Sequence, residues 1–163
     1  MQKIVIKSTV FEYDSLKELP AREQELVKMA AEAALSAYTP YSGFRVGAAI
    51  LLDNGIIVTG NNQENAAYPS GNCAERVAIF YANSRYPDSA IVAMAIAAFK
   101  KNGEQTLQPV YPCGSCRQVI MESEYRYDKK QRLIFTGKNK IQAVDSIKDI
   151  LPLSFDKDSL FPA

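Results

Sequence analysis

The chain has 163 residues, of which 47% are hydrophobic and 23% charged, the balance of one globular domain with a buried core. Its formal net charge is +1 and its charges are interspersed, which argues against nucleic acid as partner and for a small, nearly uncharged ligand. Three cysteines and no histidine fit a disulfide framework poorly, and they exclude Ser-His and Cys-His catalysis and any metal site that needs imidazole.

In chain order, Met1 to Lys7 carries no apolar core or cleavage site of a signal peptide. No stretch reaches the roughly 18 apolar residues of a membrane helix, so a soluble, cytoplasmic protein without a membrane partner is expected. Residues 3–13 alternate loosely through Ile4, Ile6, Val10 and Tyr13 and predict a strand packed on the main body. Pro20 opens a helix that runs to about Tyr38, with Leu26, Met29, Ala30, Ala33 and Ala37 at helical spacing. Thr39 to Gly43 breaks it.

Phe44–Leu52 and Ile56–Thr59 are apolar, β-branched runs on either side of Asp53-Asn54-Gly55, a hairpin signal. A polar, Asn-rich loop covers 61–72, and a helix is predicted over 73–81. Ile91–Phe99 reads as a central strand, although its alanine content leaves a helix open. A further helix runs from Cys113 to about Ser123, a strand covers Arg132–Thr136, and a short helix lies near Ser146–Leu151. Strands alternating with helices imply an α/β sheet covered by helices, in a single domain spanning 1–163.

The cysteines stand where chemistry can use them. Cys73 heads one predicted helix, and Cys113 and Cys116 form a C-x-x-C at the head of another, where free N–H groups and the helix dipole favour thiolates. Three thiolates would give zinc three protein ligands and one open position, the count of a catalytic site. The competing readings are a redox dithiol at Cys113 and Cys116, with Cys73 a small core residue, or a zinc-stabilised scaffold without catalysis. Glu75 bears on the choice. Two residues beyond Cys73, it is placed to take a proton from an attacking water and pass it on. Taken alone it would be an ordinary first-turn acid. Cys73-Ala74-Glu75 followed 40 residues on by Pro112-Cys113-x-x-Cys116 is the signature of the zinc deaminases.

Further pieces extend the match: Tyr41-Ser42-Gly43-Phe44-Arg45-Val46-Gly47-Ala48-Ala49, Gly60 to Tyr68, Pro112 to Gln118, and Leu151-Pro152-Leu153-Ser154-Phe155. In order and spacing, from about Arg22 to Leu160, the chain resembles the short, all-cysteine cytidine deaminases. The resemblance implies a three-layer α/β/α sandwich around a mixed sheet of about five strands. It implies one zinc per chain on Cys73, Cys113 and Cys116, with Glu75 catalytic. It implies hydrolytic deamination of cytidine and deoxycytidine in pyrimidine salvage.

Residue by residue, the resemblance places Asn62 and Glu64 on the ribose 3′-hydroxyl and Phe44 against the pyrimidine ring. Ala74 would offer its amide to the base carbonyl, and Tyr68 would line the pocket. Phe155 would reach a neighbouring subunit's site in a homotetramer. Arg76, and by extension Arg117, would withdraw charge from the ligand sulfurs. Two features depart from the family pattern. Ser70-Gly71-Asn72 replaces the usual Leu-Thr-x, and residues 1–20 form an extension with no assigned role. The alternative substrate is another free nucleoside or an aminonucleoside of the blasticidin type.

Overall fold

Alternating side chains along the two longest strands set the layers of the molecule, which is described over residues 1–160 of a computed structural model. Strand β1 is Phe11–Tyr13, β2 Arg45–Leu52, β3 Ile57–Asn61, β4 Ile91–Phe99, β5 Arg132–Thr136 and β6 Ile141–Val144. They form one six-stranded sheet in the order β1-β6-β5-β4-β2-β3. Only β4 and β5 run parallel; every other neighbouring pair is antiparallel.

The alternation along β4 decides between strand and helix. Met94 and Ile96 point to one face, while Ala93, Ala95 and Ala97 point to the other. Helix α1 (Ala21–Leu35) lies on the alanine face, packing Leu26, Val27 and Ala30 against it. Helices α2 (Ala74–Arg85) and α3 (Gly114–Tyr127) cover the opposite face, where Ile79 and Ile120 meet Ile50, Met94, Leu133 and Phe135. Small residues on one face let α1 sit close; large ones on the other fill the wider gap beneath two helices. The result is the expected three-layer sandwich.

The sheet holds six strands rather than about five. The added strand, β6, second from one edge of the sheet, is four residues long and follows a tight turn closed by Gly137 N–H on Lys140 C=O. Of the alternating 3–13 segment, only Phe11–Tyr13 pairs, with β6. Arg132 holds that short strand. Its guanidinium donates to the Tyr13 hydroxyl at 2.7 Å, to Asp145 at 2.5 Å and to Glu23 at 3.2 Å, and lies 5.1 Å from the Phe11 ring centroid.

Glycines appear where backbones meet. Gly55, at φ +85°, turns the β2–β3 hairpin. Gly60 on β3 lets α2 approach so closely that a Cβ there would fall 2.6 Å from the Ala78 nitrogen and 2.7 Å from the Ala74 oxygen. At the far end of α3, buried Glu124 accepts from Gln131 N–H, Ile147 N–H and the Ser146 hydroxyl at 2.7–3.0 Å, tying the helix to the strands that follow.

Candidate active site

The three cysteines, 40 and 3 residues apart in sequence, converge because two helices start side by side on the same face of the sheet. Cys73 is the N-cap of α2 and Cys113 the N-cap of α3, with Cys116 one turn into α3. The Sγ atoms of Cys73 and Cys113 lie 3.8 Å apart, and those of Cys113 and Cys116 3.5 Å. All three lie within 4.8 Å of one another. Three sulfurs at about 2.3 Å from a tetrahedral zinc stand about 3.8 Å apart, so the set fits that ion. Cys116 is fully buried, Cys73 half-buried and Cys113 exposed, which leaves one side of the cluster open.

Proton affinities within the cluster point the same way. Cys73 is drawn down to about 5 by the hydrogen bond from Cys116, then by Cys113 and Arg76, against the opposing effect of burial. Cys116 is pushed far up by donating that hydrogen bond and by its burial. Three neighbouring sulfurs cannot share one thiolate charge evenly; a dication removes the conflict by holding all three deprotonated.

Glu75, at the second position of α2, is 4% exposed. Burial raises its carboxyl above the ordinary range, and the Cys73 charge adds to the rise. A carboxyl that gains a proton easily, beside the sulfurs but not among them, is suited to proton transfer. Ala74, fully buried, is the first residue of α2, where backbone N–H groups have no helical partner.

Beside Cys73 opens a cavity of about 520 Å³ lined by Tyr41, Ser42, Asn62, Glu64, Tyr68 and Arg76, among others. Asn62 Oδ1 accepts from Val46 N–H at 2.7 Å, and its Nδ2 donates to the Phe44 carbonyl at 2.9 Å. Glu64 accepts from the amides of Tyr41 and Ser42 at 2.9 and 3.3 Å and from the Ser42 hydroxyl. These bonds hold the Glu64 carboxyl below its usual range, the Ser42 hydroxyl most strongly. A carboxylate offers about four acceptor positions, so room for one more donor remains. Tyr68, largely exposed, meets Tyr41 edge-on at 6.5 Å between centroids.

The sequence-predicted residues thus divide. Asn62, Glu64, Tyr68, Cys73 and Arg76 line one cavity, and Ala74, Glu75, Cys113 and Cys116 adjoin its Cys73 wall at the helix starts without lining it. Phe44 borders it through the backbone bonds to Asn62 and Ser42. Phe155 is 60% exposed and does not line the cavity of its own chain. Arg76 donates to the Gly71 carbonyl at 3.2 Å and reaches Cys73, while its Nε is buried without a partner. Arg117 differs from Arg76: its donors go to the carbonyls of Pro112 and Ile150 at 2.9 and 2.8 Å, which steadies the loop carrying Cys113. Ser42 received no role from the sequence, because only the fold brings it to Glu64, 22 residues away.

A second cavity, of about 560 Å³, opens at the far end of α3 beside Lys129, Lys130 and Lys148; the Glu124 carboxylate there is engaged with three protein donors. No helix among the described residues is long and apolar enough to cross a membrane.

Comparison with known proteins places this geometry. A family model described as the cytidine and deoxycytidylate deaminase zinc-binding region matches residues 20–142. A cytidine deaminase of Sporosarcina psychrophila is 39% identical over 137 residues, covering 84% of this chain and 93% of its own. One from Halalkalibacterium halodurans is 48% identical over 99 residues, covering 61% of this chain and 70% of its own. The crystal structure of the Burkholderia pseudomallei cytidine deaminase superposes with a TM-score of 0.69 at 35% identity, over 80% of this chain and 97% of that one. Three convergent thiols, a buried glutamate beside them and these relatives lead to one conclusion: the chain belongs to the zinc-binding cytidine and deoxycytidylate deaminase family.

Proposed function

We propose that the protein hydrolyses cytidine and deoxycytidine to uridine and deoxyuridine with release of ammonia. The observation that carries this is the placement of buried Glu75 beside three sulfurs in zinc-binding array, one of which, Cys73, lines a nucleoside-sized cavity.

Cys73, Cys113 and Cys116 would hold one zinc, which when bound supplies Lewis-acid activation of the attacking water. The Glu75 carboxylate accepts a proton from the water that adds to C4 of the base. It delivers that proton to N3, then takes the proton of the new C4 hydroxyl and passes it to the departing amine, so water and cytidine become uridine and ammonia. The Ala74 amide, at the positive end of α2, donates to the base carbonyl and orients the ring. Phe44 faces the ring, Tyr68 lines the pocket, and Asn62 with Glu64 takes the ribose 3′-hydroxyl. Arg76 draws charge from the ligand sulfurs, and Arg117 supports the Cys113 loop.

Phe155, exposed in the single chain, would complete a neighbouring subunit's site in a homotetramer. The protein would act as a single domain over 1–163, of which 161–163 lie outside the described residues, in the cytoplasm and in pyrimidine salvage. A different free nucleoside or a blasticidin-type aminonucleoside is the second reading. It is favoured by the altered loop Ser70-Gly71-Asn72, two of whose residues line the cavity.

The test is the ultraviolet difference assay for cytidine turnover, with zinc quantified on the same sample. Turnover with one zinc per chain supports the proposal. Zinc without turnover of either pyrimidine nucleoside shifts support to the second reading. Folded protein with neither overturns both.

A further inference from the structure

Ser42 lies in the turn between α1 and β2, and its hydroxyl makes two bonds of different reach. It accepts the Phe44 N–H at 2.9 Å, a local turn bond. It donates to Glu64 Oε1, which lies 22 residues further along the chain. The second Glu64 oxygen accepts the Tyr41 and Ser42 amides, so both carboxylate oxygens are aimed from this one turn. The Phe44 carbonyl, meanwhile, accepts from Asn62 Nδ2. Phe44 is therefore held at its N–H by Ser42 and at its C=O by Asn62.

From this arrangement we infer that Ser42 is a positioning residue: it orients the Glu64 carboxylate toward the sugar 3′-hydroxyl and couples that orientation to the placement of Phe44 against the base. The inference rests on the cytidine deaminase reading above. A turn-forming serine needs only the bond to Phe44 N–H. The long-range bond to Glu64 connects the sugar end of the cavity with its base end. It is also the main cause of the lowered proton affinity of the Glu64 carboxyl, which keeps it a pure acceptor for the sugar hydroxyl.

The experiment compares wild type, Ser42→Ala and Ser42→Thr as zinc-loaded enzyme, on cytidine and on 2′,3′-dideoxycytidine. A hydrogen bond to a charged group, once lost, changes affinity by about tenfold. Ser42→Ala is expected to raise KM for cytidine by about that factor while kcat changes less than about twofold. On dideoxycytidine, which has no 3′-hydroxyl to place but keeps the base that Phe44 faces, Ser42→Ala should raise KM by a clearly smaller factor than on cytidine. Ser42→Thr, which keeps the donor, should restore the cytidine KM. Loss by the same factor on both substrates would show a merely structural serine and overturn the inference; so would an unchanged cytidine KM. Wild type inactive on cytidine would instead strike the functional reading itself, a result distinct from either.

Discussion

Gly60 of β3 and Ala74 of α2 are in backbone contact: a methyl group added at Gly60 would lie 2.7 Å from the Ala74 carbonyl oxygen. Ala74 stands between Cys73 and Glu75, so this contact fixes the distance between the sheet and both chemical residues. Gly60→Ala should displace the head of α2 and cost about 1–3 kcal/mol of stability through overpacking. Activity should fall further than the stability loss explains, because about 1 Å of misplacement at a reacting centre costs on the order of a hundredfold. Thermal unfolding and kcat/KM on the same preparation check this; unchanged values for both would contradict the contact.

Glu75→Gln keeps the shape of the side chain and removes its proton-transfer capacity. The variant should retain one zinc per chain and lose about a thousandfold or more in kcat. Metal analysis beside the kinetic assay separates this from a ligand defect. Activity within tenfold of wild type would exclude Glu75 as the proton carrier.

Cys113→Ala should lose zinc and turnover together, since two thiolates leave the ion under-coordinated. Because Cys113 is the exposed member of the three, its side chain carries little core packing, and the metal-free fold should survive the substitution. Retention of full zinc occupancy would contradict the ligand set.

The pH behaviour of substrate binding follows from Glu64. Its carboxyl is held below the usual carboxylate range, chiefly by the Ser42 hydroxyl, so it remains ionised in the folded protein at pH values where a free glutamate begins to protonate. A depressed folded-state value places its contribution above the unfolded value and removes it only as pH falls through the lower folded one. Cytidine binding to the zinc-loaded Glu75→Gln variant, which removes the other titrating carboxyl of the site, should therefore stay flat from about pH 8 to about pH 5. Weakening centred at or above the free-glutamate range would show that Glu64 is not the acceptor.

Much of this could be read from the residues in order. β4 and β5 have the bounds that the apolar runs predicted, and the Asn54-Gly55 pair gave the hairpin, because a strand buried on both faces or a turn requiring positive φ leaves a local mark. β6 left none: four residues with a single interior polar position resemble any short loop segment. The cysteines and Glu75 were legible because metal chemistry admits few residue types at few spacings. Ser42 was not, and Arg117 was singled out by resemblance without its carbonyl partners, since these meanings depend on residues 22 and 33 positions away. The predicted helix ending at Tyr38 stops at Leu35 instead; there the Tyr38 N–H leaves the helix to bond the Asn62 carbonyl, beside the cavity.

The short strand β1 alters how the protein meets others of its kind in solution. Without it, β6 would present Ile141 to Val144 as a bare row of amides and carbonyls, the template on which chains stack into aggregates. With it, the outermost row is three residues long and bears the Glu12–Lys140 ion pair, whose charges discourage a further strand. The Arg132 clamp on Phe11 and Tyr13 keeps that cover in place. Removing residues 1–14 should then leave turnover per folded chain nearly intact while light scattering rises with concentration and time. The extension would in that case govern shelf life in a crowded solution rather than chemistry.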